Sequence, residues 1–149
     1  MFNTEKFIKL TIKEIQEEII EDFDLFEDWM QRYEYIIESG KSLPQIDPKF
    51  KTDDALIKGC QSQVWLHGDF ADGKLSFTAD SDAILTKGII SLLLRVYSGQ
   101  SPKDILDAEP FFIDEIGLKE HLSPTRANGL LSMIKQIKLL ALAHQAKAG

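Results

Sequence analysis

One thiol and three imidazoles are the side chains of this sequence best suited to covalent or proton-transfer chemistry: Cys60, His67, His121 and His144. A lone cysteine cannot close an intramolecular disulfide, and structural zinc or iron–sulfur sites take about four ligands, mostly thiolates. Alone, it can act as a nucleophile. Its setting, Ile57-Lys58-Gly59-Cys60-Gln61-Ser62-Gln63-Val64-Trp65, places it between a flexible glycine and three amide or hydroxyl side chains, whereas an inert structural cysteine normally sits among apolar neighbours. The reactive species is the thiolate, a few per cent at neutral pH for an ordinary pKa of about 8.5, so nearby cations matter. Lys58 and the more distant Arg126 are the candidates. A cysteine hydrolase or acyltransferase would pair Cys60 with His67 or His121, and an adaptor protein would need no thiol at all.

The histidines themselves have plain readings. His67 alternates with Val64 and Leu66 and points off the core face, while His144 falls near the end of a helix, where an imidazolium suits the dipole. His121 precedes a Ser-Pro helix start and can reach a pocket. No HExxH or paired His/Glu spacing accompanies it, so no metal site is expected. Gly-rich phosphate loops, dinucleotide fingerprints and a Lys-centred pyridoxal phosphate motif are absent, and no cofactor is expected.

The elements that must position the thiol follow from periodicity. Ile8, Ile12, Ile15 and Ile19 recur at spacings of 4, 3 and 4, predicting a first helix over 4–20 with Thr4 as N-cap. Asp24 with Glu27 resembles a capping box for a second helix carrying Phe26, Met30, Tyr33 and Ile37, and Gly40 ends it. Residues 41–54, with Pro44, Pro48 and several aspartates, read as a mobile surface loop. Period-two runs over Val64–Phe70 and Leu75–Ala79 flank Asp72-Gly73, a strong hairpin turn, and Ala55–Ile57 is expected to add a third, edge strand. Ile84–Val96 is apolar almost all round and must be a central helix. A short helix from Ser101-Pro102 to Leu106, a turn or two over Glu109–Ile116, and a long helix started by Ser123-Pro124 and running to about residue 145 complete the chain. The order predicts an α+β fold, a small three-stranded antiparallel sheet packed on helices.

With 149 residues, 44% of them hydrophobic and 28% charged, one domain over 1–149 is expected. The net charge of −7 arises in the first forty residues, with 11 acids against 4 bases; the remainder is balanced at 13 and 13. That bias disfavours nucleic acid and anionic membranes as partners. The longest apolar stretch, Gly88–Leu94, is about a third of the ~20 residues a bilayer span requires. The N-terminal run has acids among its apolar residues and no small-residue cleavage site, against a signal or transit peptide, and a cytoplasmic location is expected.

Gly59-Cys60-Gln61-Ser62-Gln63-Val64-Trp65 resembles the signature of the SufE family of sulfur-acceptor proteins. Asp80-Ser81-Asp82-Ala83-Ile84 with Lys87-Gly88, and His121-Leu122-Ser123-Pro124-Thr125-Arg126 with Gly129-Leu130, stand where that family has its later motifs, over roughly residues 25–142. The resemblance implies a SufE/IscU-like fold. It also implies that the chain accepts sulfane sulfur as a persulfide on Cys60 from a pyridoxal-phosphate-dependent, SufS-like cysteine desulfurase, stimulates that enzyme, and passes the sulfur to an iron–sulfur scaffold. Lys58, Gly59, Gln61 and Ser62 then form the supporting loop, with Arg126, Asp82 and His121 as candidate stabilisers of the thiolate or of the loop. For Arg126 a purely structural pairing with Asp82 is the alternative, and homodimerisation is left open.

Overall fold

The computed structural model describes residues 10–148. Thr11 opens the first helix, α1 (Ile12–Asp24), through a reciprocal capping box: its hydroxyl accepts the Glu14 N–H at 3.1 Å and the Glu14 carboxylate accepts the Thr11 N–H at 2.9 Å. The expected start at Thr4 lies outside the described residues; within them, Leu10 and Thr11 are not helical. At its other end α1 runs on to Asp24, because Phe23 continues the stripe of Ile12 and Ile19 into the core. Asp24 is thereby consumed inside α1. Asp28 caps α2 (Trp29–Gly40) instead, accepting the Gln31 N–H at 2.9 Å.

β1 (Val64–Ala71) and β2 (Lys74–Ser81) form an antiparallel hairpin in which Leu66 faces Ala79 and Gly68 faces Phe77. Asp72 and Gly73 take φ of 54° and 77°, as the turn requires. The third strand is not formed. Leu56 makes one isolated bridge to Trp65, with the Ile57 N–H donating to the Val64 carbonyl at 2.8 Å. A 3₁₀ turn at Asp53–Ala55 precedes that bridge and Gly59, at φ +89°, turns the chain away soon after it, so the ladder has no room to extend. On the opposite edge the 41–54 segment is tied down: Ile46 N–H donates to the Ala79 carbonyl, Ala79 N–H to the Pro44 carbonyl, and Leu43 and Ile46 are buried.

The central helix is α3 (Ile84–Tyr97), whose Ile89, Ile90, Leu92, Leu93, Leu94, Val96 and Tyr97 are all buried. It meets the hairpin on one side and crosses α2 closely on another, where Gly88 lies against the backbone of Ile36. Two short helices, α4 (Pro102–Asp107) and α5 (Phe112–Glu115), lead to α6 (Pro124–Ala148), which packs on α4 and α3. None of the described helices is long and apolar enough to cross a membrane.

Lys138 of α6 holds α4 in place. Its ammonium donates to the carbonyls of Ile105, Leu106 and Ala108 at 2.9, 3.3 and 2.6 Å, satisfying groups that the helix end leaves unpaired. Lys138→Met keeps the apolar stem but strands these carbonyls, and is expected to cost about 1–3 kcal/mol. Thermal denaturation checks this; an unchanged midpoint would mean that water replaces the ammonium without loss.

Candidate functional site

Cys60 sits in a loop, 58–63, suspended between the Leu56–Trp65 bridge and the first residues of β1. Gly59 enters it at φ +89°, and a Cβ there would stand 2.6 Å from the Ser132 hydroxyl, so glycine is needed both for the turn and for the approach to α6. At the far end the loop is pinned through Gln63. Its N–H donates to the Asp82 carboxylate at 3.0 Å, and its carbonyl accepts from the Ser81 hydroxyl at 2.8 Å and the Asp82 N–H at 3.3 Å. The Asp80-Ser81-Asp82 run is thus an anchor for the thiol loop. Asp80 extends it, accepting Lys51 at 3.0 Å and Lys87 at 3.4 Å; burial pushes its carboxyl up, but Lys51, the Ser81 N–H and Lys87 outweigh this and hold it below the usual range.

The thiol itself is half-buried and points toward α6. Cys60 Sγ–H donates weakly to the Gly129 carbonyl, S···O 3.6 Å, and a Cβ on Gly129 would touch Sγ at 3.6 Å. Beside it is a small cavity of about 10 Å³, bordered by Gln61, Ser62, Thr86, Ile89, Thr125, Arg126 and Met133, about enough for one water-sized group. Ser123 positions that side of the cavity by capping α6, its hydroxyl accepting the Arg126 N–H at 3.2 Å.

Burial pushes the Cys60 thiol above its ordinary pKa. In this geometry burial opposes ionisation of the thiol, whereas Lys58 or Arg126 acting on it would favour ionisation. The two views separate by experiment. Alkylation by iodoacetamide is expected to inflect at higher pH than in a short cysteine peptide, and Arg126→Ala is expected to leave the inflection where it is. A further rise in Arg126→Ala would restore the guanidinium as a thiolate stabiliser.

Of the residues singled out from sequence, Gln61, Ser62 and Arg126 share the cavity with Cys60, Gly59 shapes the turn, and Asp82 anchors the loop. Arg126 is exposed and has no ion pair among the described residues; Asp82 serves Gln63, not Arg126. Lys58 is exposed and faces a groove on the other side of the loop. His121 does not border the cavity. Its ring stacks on Trp29 at 3.8 Å, its Nδ1–H donates to the Gly117 carbonyl at 2.9 Å, and Tyr33 donates to its backbone carbonyl. His67 stacks on Phe50 at 3.7 Å beside Asp69. Thr86, Ile89, Thr125 and Met133 escape sequence reasoning, because they reach the thiol only through the packing of α3 and α6. A glycine inside the apolar pattern of α6, Gly129, is the one signal in the sequence of a close approach there.

An α+β chain with one sheltered thiol on an anchored loop defines the class of protein. The profile of the SufE family, described as an Fe-S metabolism associated domain, matches residues 17–141. An uncharacterized SufE-like protein of Rhizobium meliloti is 43% identical over 128 residues, covering 82% of this chain and 91% of that one. SufE-like protein 1, chloroplastic/mitochondrial, of Arabidopsis thaliana is 38% identical over 132 residues, 88% of this chain but 36% of that longer protein. A hypothetical protein from Thermus thermophilus, known by solution structure, superposes with a TM-score of 0.74 at 22% identity, over 89% of this chain and 96% of the other, and shares the fold. The chain belongs to the SufE family, and its role lies in iron–sulfur metabolism.

Proposed function

We propose that the protein accepts sulfane sulfur on Cys60 from a pyridoxal-phosphate-dependent cysteine desulfurase of the SufS-like kind and hands it to an iron–sulfur scaffold. The observation that carries this reading is the placement of the chain's one thiol, in the Gly59–Trp65 run, on an anchored loop beside a small cavity. Loading is an exchange reaction. The Cys60 thiolate attacks the outer sulfur of the donor's persulfide, a new S–S bond forms on Cys60, and the donor thiolate leaves with the electron pair of the broken bond. Delivery reverses the roles: an acceptor thiolate takes the outer sulfur and Cys60 leaves as thiolate. No external oxidant or reductant enters either step.

Emptying the donor is what stimulates the desulfurase in this scheme. A half-buried thiol whose ionisation burial opposes resists stray oxidants, and the desulfurase favours the open loop by binding it better than the closed one. A hydrolase reading is weaker, since both the His67 and His121 rings are stacked away from the cavity. Incubation with a cysteine desulfurase and cysteine is expected to add roughly 32 Da, one sulfur, to the peptide holding Cys60. Absence of that gain under conditions where the desulfurase itself becomes persulfidated would overturn the proposal.

A further inference from the structure

Next to the thiol loop, a groove of about 330 Å³ that shares no lining residue with the Cys60 cavity lies between Asp54, Leu56 and Lys58 and the Ser132, Lys135 and Leu139 side of α6. Only Gly59 separates Lys58, at its end, from Cys60. Lys58 and Lys135 are exposed and form no ion pair among the described residues, although the chain as a whole carries a charge of −7. Arg126, on the opposite flank of Cys60, is likewise exposed and unpaired among those residues. The groove thus presents two free cations, with Asp54 its own acid, and Arg126 adds a third on the cavity beside Cys60, in a protein that is acidic as a whole.

The exposed face of α6 adds an apolar component. Leu131, Leu139 and Leu142 are each close to half exposed, at 47%, 46% and 52%, and with Lys135 they follow the 4, 4, 3 spacing of one helix stripe. Burial of Leu130, Met133, Ile134 and Ile137 on the other face already accounts for the packing of α6. The outer leucines therefore contribute nothing to the fold's own core.

We infer that this groove receives an acidic, apolar-flanked segment of the protein that donates sulfur to Cys60. The inference rests on the sulfur-acceptor reading and adds to it the chemistry of the donor's docking segment. Exchange between two proteins needs the donor sulfur within bonding distance of Cys60, so the donor must cover the loop, and the surface next to the loop sets its composition. Opposite charge on that segment steers the encounter, and apolar contact with Leu139 and its neighbours slows release. A chain with a net charge of −7 would otherwise repel an acidic partner; the local cations reverse the sign where contact occurs.

Two measurements test this on the intact chain. In desulfurase assays with the chain as varied co-substrate, Lys58→Glu with Lys135→Glu is expected to raise KM about tenfold at low salt, less at high salt, while Lys58→Arg with Lys135→Arg stays near the parent. The second needs no desulfurase. N-acetyl-Leu-Glu-Cys-amide and N-acetyl-Leu-Lys-Cys-amide, each capped on cysteine as a nitropyridyl disulfide, react by attack of the Cys60 thiolate on the peptide sulfur, releasing nitrothiopyridone whose absorbance gives the rate. The acidic peptide is expected to react several-fold faster than the basic one, and the double glutamate variant to erase or invert that ratio. Both positions are exposed, so circular dichroism should show an unaltered fold. An unchanged KM with normal sulfur loading overturns the docking groove and spares the acceptor role. A chain that takes no sulfur but retains the peptide preference overturns the acceptor role and spares the acidic recognition. Equal peptide rates overturn that recognition directly, as does sedimentation showing that the glutamates dissolve a dimer, which would make a second copy the occupant.

Discussion

Cys60→Ser should take up no sulfur at all. The hydroxyl is a poor nucleophile toward sulfane sulfur and cannot form a persulfide, and no second thiol exists in the chain to substitute. The mass gain on the 58–63 peptide should vanish and stimulation of the desulfurase with it, a loss of several orders of magnitude in transfer rate. Folding should survive. The Sγ contact to the Gly129 carbonyl is a weak 3.6 Å one that a hydroxyl can replace, and the side chain is only half-buried, so the stability change is expected within about 1 kcal/mol. Docking should survive too, because the neighbouring lysines and leucines are untouched. Normal desulfurase stimulation by the serine variant under reducing conditions would show that the protein acts on its partner by contact and not as a sulfur acceptor.

The largest expected effect on stability belongs to Gly88→Ala. A Cβ at position 88 would stand 2.1 Å from the Ile36 carbonyl oxygen and 2.7 Å from its carbon, both backbone atoms that no rotamer change can move. Gly40 makes the reciprocal approach, its virtual Cβ lying 2.9 Å from the Gly88 nitrogen. Admitting a methyl group forces α2 and α3 apart along a seam that closes over the buried Ile36 and Ile90. Overpacking of that kind costs about 3 kcal/mol or more, some ~10 °C in midpoint for a chain of this size. Because Ile89, beside Gly88, borders the cavity next to Cys60, the same variant should also speed alkylation of Cys60. A midpoint within two or so degrees of the parent would mean that the helices separate freely, contrary to close packing of the core.

Short-range signals in the chain already specified much of this. Asp72-Gly73 determines the hairpin, since both residues adopt positive φ at little cost; the unbroken apolar run Ile84–Val96 can only be a buried helix; and Ser123-Pro124 marks where α6 begins. Each signal lies within about one turn of what it controls. Competing local signals were settled by packing. Asp24 has the composition of a cap for the second helix, but burial of Phe23 on the stripe of α1 carries α1 through Asp24, and α2 starts after Asp28. Ala55–Ile57 has the apolar content of an edge strand, but the 3₁₀ turn before it and the turn at Gly59 leave one bridge.

For the site, Cys60 was legible as the candidate nucleophile because the chain holds a single thiol, and its setting was not. Gly129 lies 69 positions from Cys60, and the Ser81–Asp82 anchor reaches Gln63 only through strand register. Those approaches are set by how α6 and α3 pack around the hairpin. Burial of Cys60 thus comes from residues distant in sequence and pushes its thiol pKa up, and stacking on Trp29 holds His121 away from the thiol. Desolvation and van der Waals contact act through space, so the sequence singles out the thiol while the tertiary structure decides its shelter and neighbours.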